Sequence, residues 1–224
     1  SESIIIRGNN ITTVGPEEDI IYDNLGQFKQ IYTASINIET SNAVTIENNT
    51  VSTKGNGKIT DVGTIYSINV IGKYVYDDEE YIAFTKITDN TVHAEAAQYA
   101  YGINVGHATT GLVTGNDVIS VSGNYADAIQ GYNVYDFDFT DNTVNVISDN
   151  MAYGIIAEGF FYMDDDYNMD WPTVEDNVIA NNEITLKGKD AWAVEIVIGT
   201  ENTVEYNNIP IVASNGVGVG IADC

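Results

Sequence analysis

The sequence predicts an all-β fold, a right-handed parallel β-helix with three short strands per coil and about seven coils. Three observations predict it. Similar phrases recur at a near-constant interval, apolar and polar residues alternate within them, and no amphipathic helix of convincing length appears. "ITDNTVHAEAAQYAYGI" (87–103), "VTGNDVISVSGNYADAI" (113–129) and "FTDNTVNVISDNMAYGI" (139–155) are near copies of one another.

Two landmarks carry the register. One is the apolar residue after a small residue: Ile36, Ile68, Ile103, Ile129, Ile155, Val194 and Val219. The other is the apolar residue of Asn-x-Val or Asn-x-Ile: Ile11, Val51, Val92, Val118, Val144, Ile184 and Ile209. Ile103, Ile129 and Ile155 are 26 residues apart, a length that means stacked supersecondary units. The period of two in "VISVSGN", "TVNVISDN" and "EITLKG" makes those units strands. Each unit has room for three, as in "YGINVG", "GLVTGN" and "VISVSG". "AEAAQYA" (94–100) lies inside a well-aligned copy and reads as a turn. At about 4.8 Å per strand neighbour, the coils span roughly 30 Å.

The Val or Ile of each triplet points inward and stacks on its copies. The Asn before it takes a sharp bend, where it tolerates left-handed backbone, and its amide joins a ladder with the Asn above and below. The small residue ahead of the other landmark (Gly102, Ala128, Gly154) lets the next corner turn without crowding.

Composition narrows the partners. With 8 basic and 33 acidic residues the net charge is −25, so a basic footprint for nucleic acid is absent and anionic membranes repel the chain. No apolar run approaches the roughly 18 residues of a membrane span. Cys224 is the sole cysteine, which excludes an intrachain disulfide and a cysteine-based metal site. The chain opens without Met or a signal peptide, and both ends run directly into repeat. The expectation is therefore a single β-helix segment, 1–224, excised from a longer repeat protein whose flanking repeats cover its pairing edges.

The phrases "IENNTVS", "ITDNTVH", "FTDNTVN" and "VEDNVIANNEI" resemble the parallel β-helix repeat of the pectin-lyase-like fold over almost the whole chain. The Asn-, Ile- and Tyr-rich, acidic, cysteine-poor style resembles adhesin-like surface proteins of methanogenic archaea. That resemblance implies an extracellular or cell-surface module whose partner is a glycan or a surface protein of another cell. Two sequons, Asn10-Ile-Thr and Asn48-Asn-Thr, imply export if they are used. The fold also hosts polysaccharide-active enzymes. Its lyases pair Ca²⁺-binding carboxylates with an Arg or Lys base, but Arg7 is the single arginine here and lies near the end, and Lys73 and Lys86 merely flank an insertion. "VGHA" around His107 is a poor match to the Gly-His-Gly of its polygalacturonase-like hydrolases, whose other motifs are missing, and His93 has no partner in view. The leading expectation is a non-catalytic glycan- or protein-binding module. The alternatives are a glycoside hydrolase or lyase of this fold and a purely structural stalk.

Function is expected at two expanded coils, 72–84 and 159–175, because insertions in a solenoid emerge on one face. "GKYVYDDEEYIAF" and "GFFYMDDDYNMDW" both mix aromatics with carboxylates. Tyr74, Tyr76, Tyr81, Phe161, Tyr162 and Trp171, with Tyr132 between, are the candidate ligand contacts around a groove over the strands of Ile103 and Ile129. Alternation turns Asn104, Gln130, Tyr132, Glu158 and Glu195 outward. Glu158 and Glu195 are the catalytic pair if the module is an enzyme, at a glycosidase-like separation of roughly 5–9 Å. Asp164, Asp166, Asn168 and Glu175 have the spacing of positions 1, 3, 5 and 12 of a Ca²⁺ loop, with Met169 where that loop wants Gly; Asp77, Asp78, Glu79 and Glu80 form a second acidic cluster. Calcium bound there should raise the melting temperature at millimolar concentration, with Mg²⁺ a poor substitute. In melts at about 0.15 M salt, Asp166→Asn should abolish that response while Asp78→Asn keeps it. Equal responses of both variants to both ions would leave bulk charge alone.

Overall fold

Alternating residues bury one side of each strand, and the described residues form strands and turns with no helix. The computed structural model describes residues 3–15, 21–22, 28–29, 32–40, 42–55, 64–75, 78–159, 162–163, 169–170 and 174–222. A seven-stranded sheet, the first stack, runs Ser3–Arg7, Ala43–Glu47, Thr85–Thr88, Gly111–Thr114, Phe137–Thr140, Val178–Ala180 and Thr203–Glu205, all parallel. A twelve-stranded parallel sheet holds two further rows. The second stack is Asn10–Val14, Thr50–Lys54, Thr91–Ala96, Asp117–Ser122, Thr143–Ser148 and the start of Glu183–Val197. The third is Tyr32–Glu39, Thr64–Ile71, Tyr99–Ala108, Tyr125–Val134, Met151–Glu158, the remainder of Glu183–Val197, and Ile211–Ala222. Glu183–Val197 belongs to both rows and joins them into one sheet.

The sequence landmarks are register partners. Ile36, Ile68, Ile103, Ile129, Ile155, Val194 and Val219 pair in succession along the third stack. Ile11, Val51, Val92, Val118, Val144 and Ile184 do the same along the second. With Ile46, Ile87, Val113, Phe139 and Ile179 of the first stack, they make one apolar core, except that Ile11 is only partly buried against it and Val219, expected inside, is 45% exposed on the last strand. A smaller cluster of Ile65, Ala94, Ala96 and Ala100 fills the junction of the second and third stacks, where the Ser120 hydroxyl donates to the Ala100 carbonyl at 2.9 Å. Gly102, Ala128 and Gly154 lie within strands rather than beside a corner. A Cβ on Gly102 would stand 2.5 Å from Val118 Cγ1, so smallness there lets the third stack approach the second. The phrase "AEAAQYA" is mostly strand, which runs to Ala96 and resumes at Tyr99.

The asparagine ladder is complete across the repeats. Asn9, Asn49, Asn90, Asn116, Asn142 and Asn182 each donate their backbone N–H and their amide Nδ2 to the Oδ1 of the next rung, ending at Asn207, all at 2.9–3.1 Å. Nδ2 also reaches main-chain carbonyls, as from Asn142 to Val113 at 2.8 Å. The left-handed backbone sits one residue earlier than expected, at Gly8, Asn48, Asp89, Gly115, Asp141, Asn181 and Tyr206, with φ of 56–68°. The turn made there aims the following Asn inward. A shorter ladder, unforeseen in the sequence, runs from the Phe137 N–H to Asn177 Oδ1 and from Asn177 to Asn202 at 2.9–3.0 Å.

Asn142 is fully enclosed, and its loss strands the N–H and Nδ2 donors of Asn116 and removes the Nδ2 bonds to Val113 O and Asn182 Oδ1, while the backbone N–H at 142 still reaches Asn182. Asn142→Ala should therefore cost about 1–3 kcal/mol in urea denaturation. Asn145→Ala, on a strand position facing away from the core, should change little. An unchanged midpoint for Asn142→Ala would count against the ladder as a source of stability.

Candidate functional site

A one-repeat register lines up the outward side chains of the third stack in rows. Two residues before the core Ile or Val stand Tyr66, Tyr101, Asp127, Tyr153 and Trp192; one residue after it stand Asn69, Asn104, Gln130, Ile156 and Glu195; three after stand Ile71, Gly106, Tyr132, Glu158 and Val197. Between these rows lies a groove of about 390 Å³, with a floor of Asn69, Asn104 and Gln130 and walls of Tyr66, Tyr101, Ile71 and Tyr132. It covers the strands of Ile68, Ile103 and Ile129. The described residues that line it belong to strands.

The first row is an aromatic ladder. Tyr66 and Tyr101 stack with centroids 4.8 Å apart, and Tyr153 and Trp192 with centroids 5.0 Å apart. Asp127 interrupts the row, and Tyr125 bridges the gap at 5.8 Å from Tyr101 and 5.0 Å from Tyr153. Burial pushes the phenols of Tyr101, Tyr125 and Tyr132 upward in pKa, and that of Tyr153 to about 12. On the opposite wall the Tyr132 ring lies over Gly106, where a Cβ would stand 2.0 Å from the ring. Only glycine leaves that space. His107 meets Tyr132 edge-on at 5.2 Å, and Tyr81 meets His107 at 5.7 Å and Tyr135 at 5.8 Å.

The floor is a chain of amides. Asn104 Nδ2 donates to Asn69 Oδ1, and Asn69 Nδ2 to Asn37 Oδ1, both at 2.7 Å. Gln130 Nε2 donates to Glu158 Oε1. Beyond the floor three carboxyls gather. Asp127 is 1% exposed. The Tyr125 hydroxyl is near enough to oppose its shift, but neither Asp127 oxygen meets the geometry of a hydrogen bond. Burial, then the charges of Glu158 and Glu195, push its pKa well above the ordinary carboxylate range. Glu158 is raised by burial and by Glu195, against the Gln130 hydrogen bond, and Glu195 is raised by burial.

Of the expected contacts, the described side chains place Tyr132 in the groove wall and Tyr81 next to it through His107. Tyr74 lies in the strand Lys73–Val75, paired with Asp78–Glu80, and Tyr162 in Tyr162–Met163, paired with Met169–Asp170; both are described for backbone only. Tyr76, Phe161, Trp171, Asp77, Asp164, Asp166 and Asn168 lie outside the described residues. Glu175 belongs to a two-residue strand paired with Gly199–Thr200 and bridged to Tyr135. Among the described residues no three His, Cys, Asp or Glu side chains converge as metal ligands. Asp127, Tyr66, Tyr101, Tyr125, Tyr153 and Trp192 escaped the sequence reading. Alternation counted backward from the landmark Ile puts its i−2 residue inward and so misses this row; the strands change phase where the small residue and the Ile after it (Gly102–Ile103, Ala128–Ile129, Gly154–Ile155) are both buried. Compared with known proteins, the chain matches no family model, no curated protein and no solved structure.

Asp127 holds its proton more tightly folded than unfolded. Its contribution to stability is thus fully present below the unfolded pKa near 4 and is lost as pH rises through the higher folded value. Asp127→Asn removes that loss, so its melting temperature should gain on the parent's as pH rises above about 4. A gap constant with pH would mean that Asp127 does not ionise there.

Proposed function

We propose that this segment is a glycan-binding module of a cell-surface, adhesin-like protein, built as a right-handed parallel β-helix with three strands per coil and about seven coils. Three parallel rows in one-repeat register support the coil reading, and parallel crossovers are overwhelmingly right-handed. The observation that carries the function is the groove itself. Aromatic walls with a floor of amides combine apolar contact for sugar C–H faces with donors and acceptors for sugar hydroxyls. The resemblance to adhesin-like repeats supports the surface location, and the exposure of both sequon residues, Asn10 and Asn48, is compatible with it. Ca²⁺ in the second insertion is part of the same proposal and rests on the spacing of Asp164, Asp166, Asn168 and Glu175.

A specific observation favours a second reading. Glu158 and Glu195 have raised pKa values on adjacent strands, and a raised carboxyl is what a glycosidase general acid needs. In that reading one carboxyl protonates the leaving oxygen and the other acts as nucleophile or activates water.

A glycan array paired with an activity screen on neutral and acidic polysaccharides separates the two. Binding without turnover, lost on Tyr132→Ala and weakened on Gly106→Ala because the new Cβ displaces the Tyr132 ring, supports the binding module. Turnover abolished by Glu158→Gln or Glu195→Gln supports the hydrolase. A Tyr132→Ala protein that binds like the parent removes the groove as the glycan site.

A further inference from the structure

Among the described side chains, the groove and the surface beside it offer acceptors and no cation. Asn104 is 4% exposed and lines the floor, yet its Oδ1 accepts no hydrogen bond, while its Nδ2 is committed to Asn69. Both oxygens of the fully buried Asp127 are likewise unused. Glu158 and Glu195 stand one and two repeats further along, close enough for their charges to disfavour one another and Asp127. Among the described residues the ion pairs lie on the other two stacks: Arg7 and Lys86 with Glu47, and Lys54 with Glu95. The outward rows of the third stack hold no Lys or Arg.

Such a surface selects its ligand by charge. A uronic-acid polymer would bring further carboxylates to unpaired carboxylates, at a cost that nothing on this face offsets. A neutral glycan would satisfy the free acceptors but leave the carboxylates unpaired. An ammonium group does both, donating hydrogen bonds and neutralising charge, and the aromatic rings next to it add cation–π attraction.

We infer that the groove takes a glycan bearing free amines, an amino-sugar chain of the glucosamine type, with its ammonium groups against Glu158 and Glu195 and its ring faces toward the tyrosines. Asp127 lies beneath the surface and does not touch the sugar. This inference rests on the glycan-binding reading above and specifies its ligand.

The test is calorimetric titration of the whole segment at about 0.15 M salt with four probes: a glucosamine tetramer, its N-acetylated counterpart, a galacturonate tetramer and an oligolysine of matched charge. The glucosamine tetramer should bind about tenfold or more tightly than the N-acetylated one, the gain of a charge-assisted hydrogen bond, and galacturonate should not bind. Glu195→Gln, at a half-exposed position where folding is not at risk, should erase that preference. Asp138→Asn, an exposed acid of the first stack, should leave it intact. Oligolysine binding that ignores Glu195→Gln is bulk attraction to a −25 chain and leaves the inference standing. Oligolysine binding that matches glucosamine and falls equally in Glu195→Gln overturns the amino-sugar class. Equal binding of the two glucosamine probes overturns the ammonium preference while the glycan reading stands. If no sugar probe binds, and none binds on the array, both fail.

Discussion

An asparagine amide buried beside an identical amide one repeat away has its donors and acceptor answered by its own copy. Seven rungs run this way from Asn9 to Asn207, and the five between them, Asn49 to Asn182, are buried polar groups that would each be costly if left alone. They do so only in one register, because the Oδ1 must meet both the N–H and the Nδ2 of its neighbour. Slipping a strand by one residue would break the rungs on either side of it and turn its core Ile or Val outward. The left-handed residue before each rung supplies the geometry that lets the amide enter, which is why Gly, Asn and Asp dominate that position.

The groove face inherits its order from that register. Because Ile68, Ile103, Ile129, Ile155 and Val194 are partners, the residues at fixed offsets from them become rows one strand spacing apart. Aromatic side chains at that spacing stack on each other and stabilise the sheet as cross-strand pairs do. The aromatic row therefore has a structural role as well as a place in the groove wall. Asp127 is the exception within it. A carboxyl in a row of rings, enclosed and without a hydrogen bond, is a local conflict that the fold tolerates, and such conflicts concentrate at functional sites.

Charge is distributed unevenly over this acidic molecule. Glu47 sits between Arg7 and Lys86, and these neighbours hold its pKa below the ordinary value. Asp127, Glu158 and Glu195 have no such neighbours, and theirs rise. The same residue types thus carry opposite perturbations on two faces of one structure. The difference comes from which rows the few basic residues occupy, not from net charge.

The sequence by itself determined the strands, the repeat, the identity of the core Ile and Val residues and the asparagine ladder. Each of these follows from periodicity, and periodicity is written in one dimension. It also turned Asn104, Gln130, Tyr132, Glu158 and Glu195 to one face, since alternation alone decides that. Only the tertiary structure decided that Asp127 is enclosed, that Tyr125 leaves its own row to cover it, and that Gly106 makes room for the Tyr132 ring. It also decided which strand residues line the groove. Those outcomes depend on how side chains from neighbouring repeats share space, and residues about 26 positions apart carry no local signal of the volume each leaves to the other.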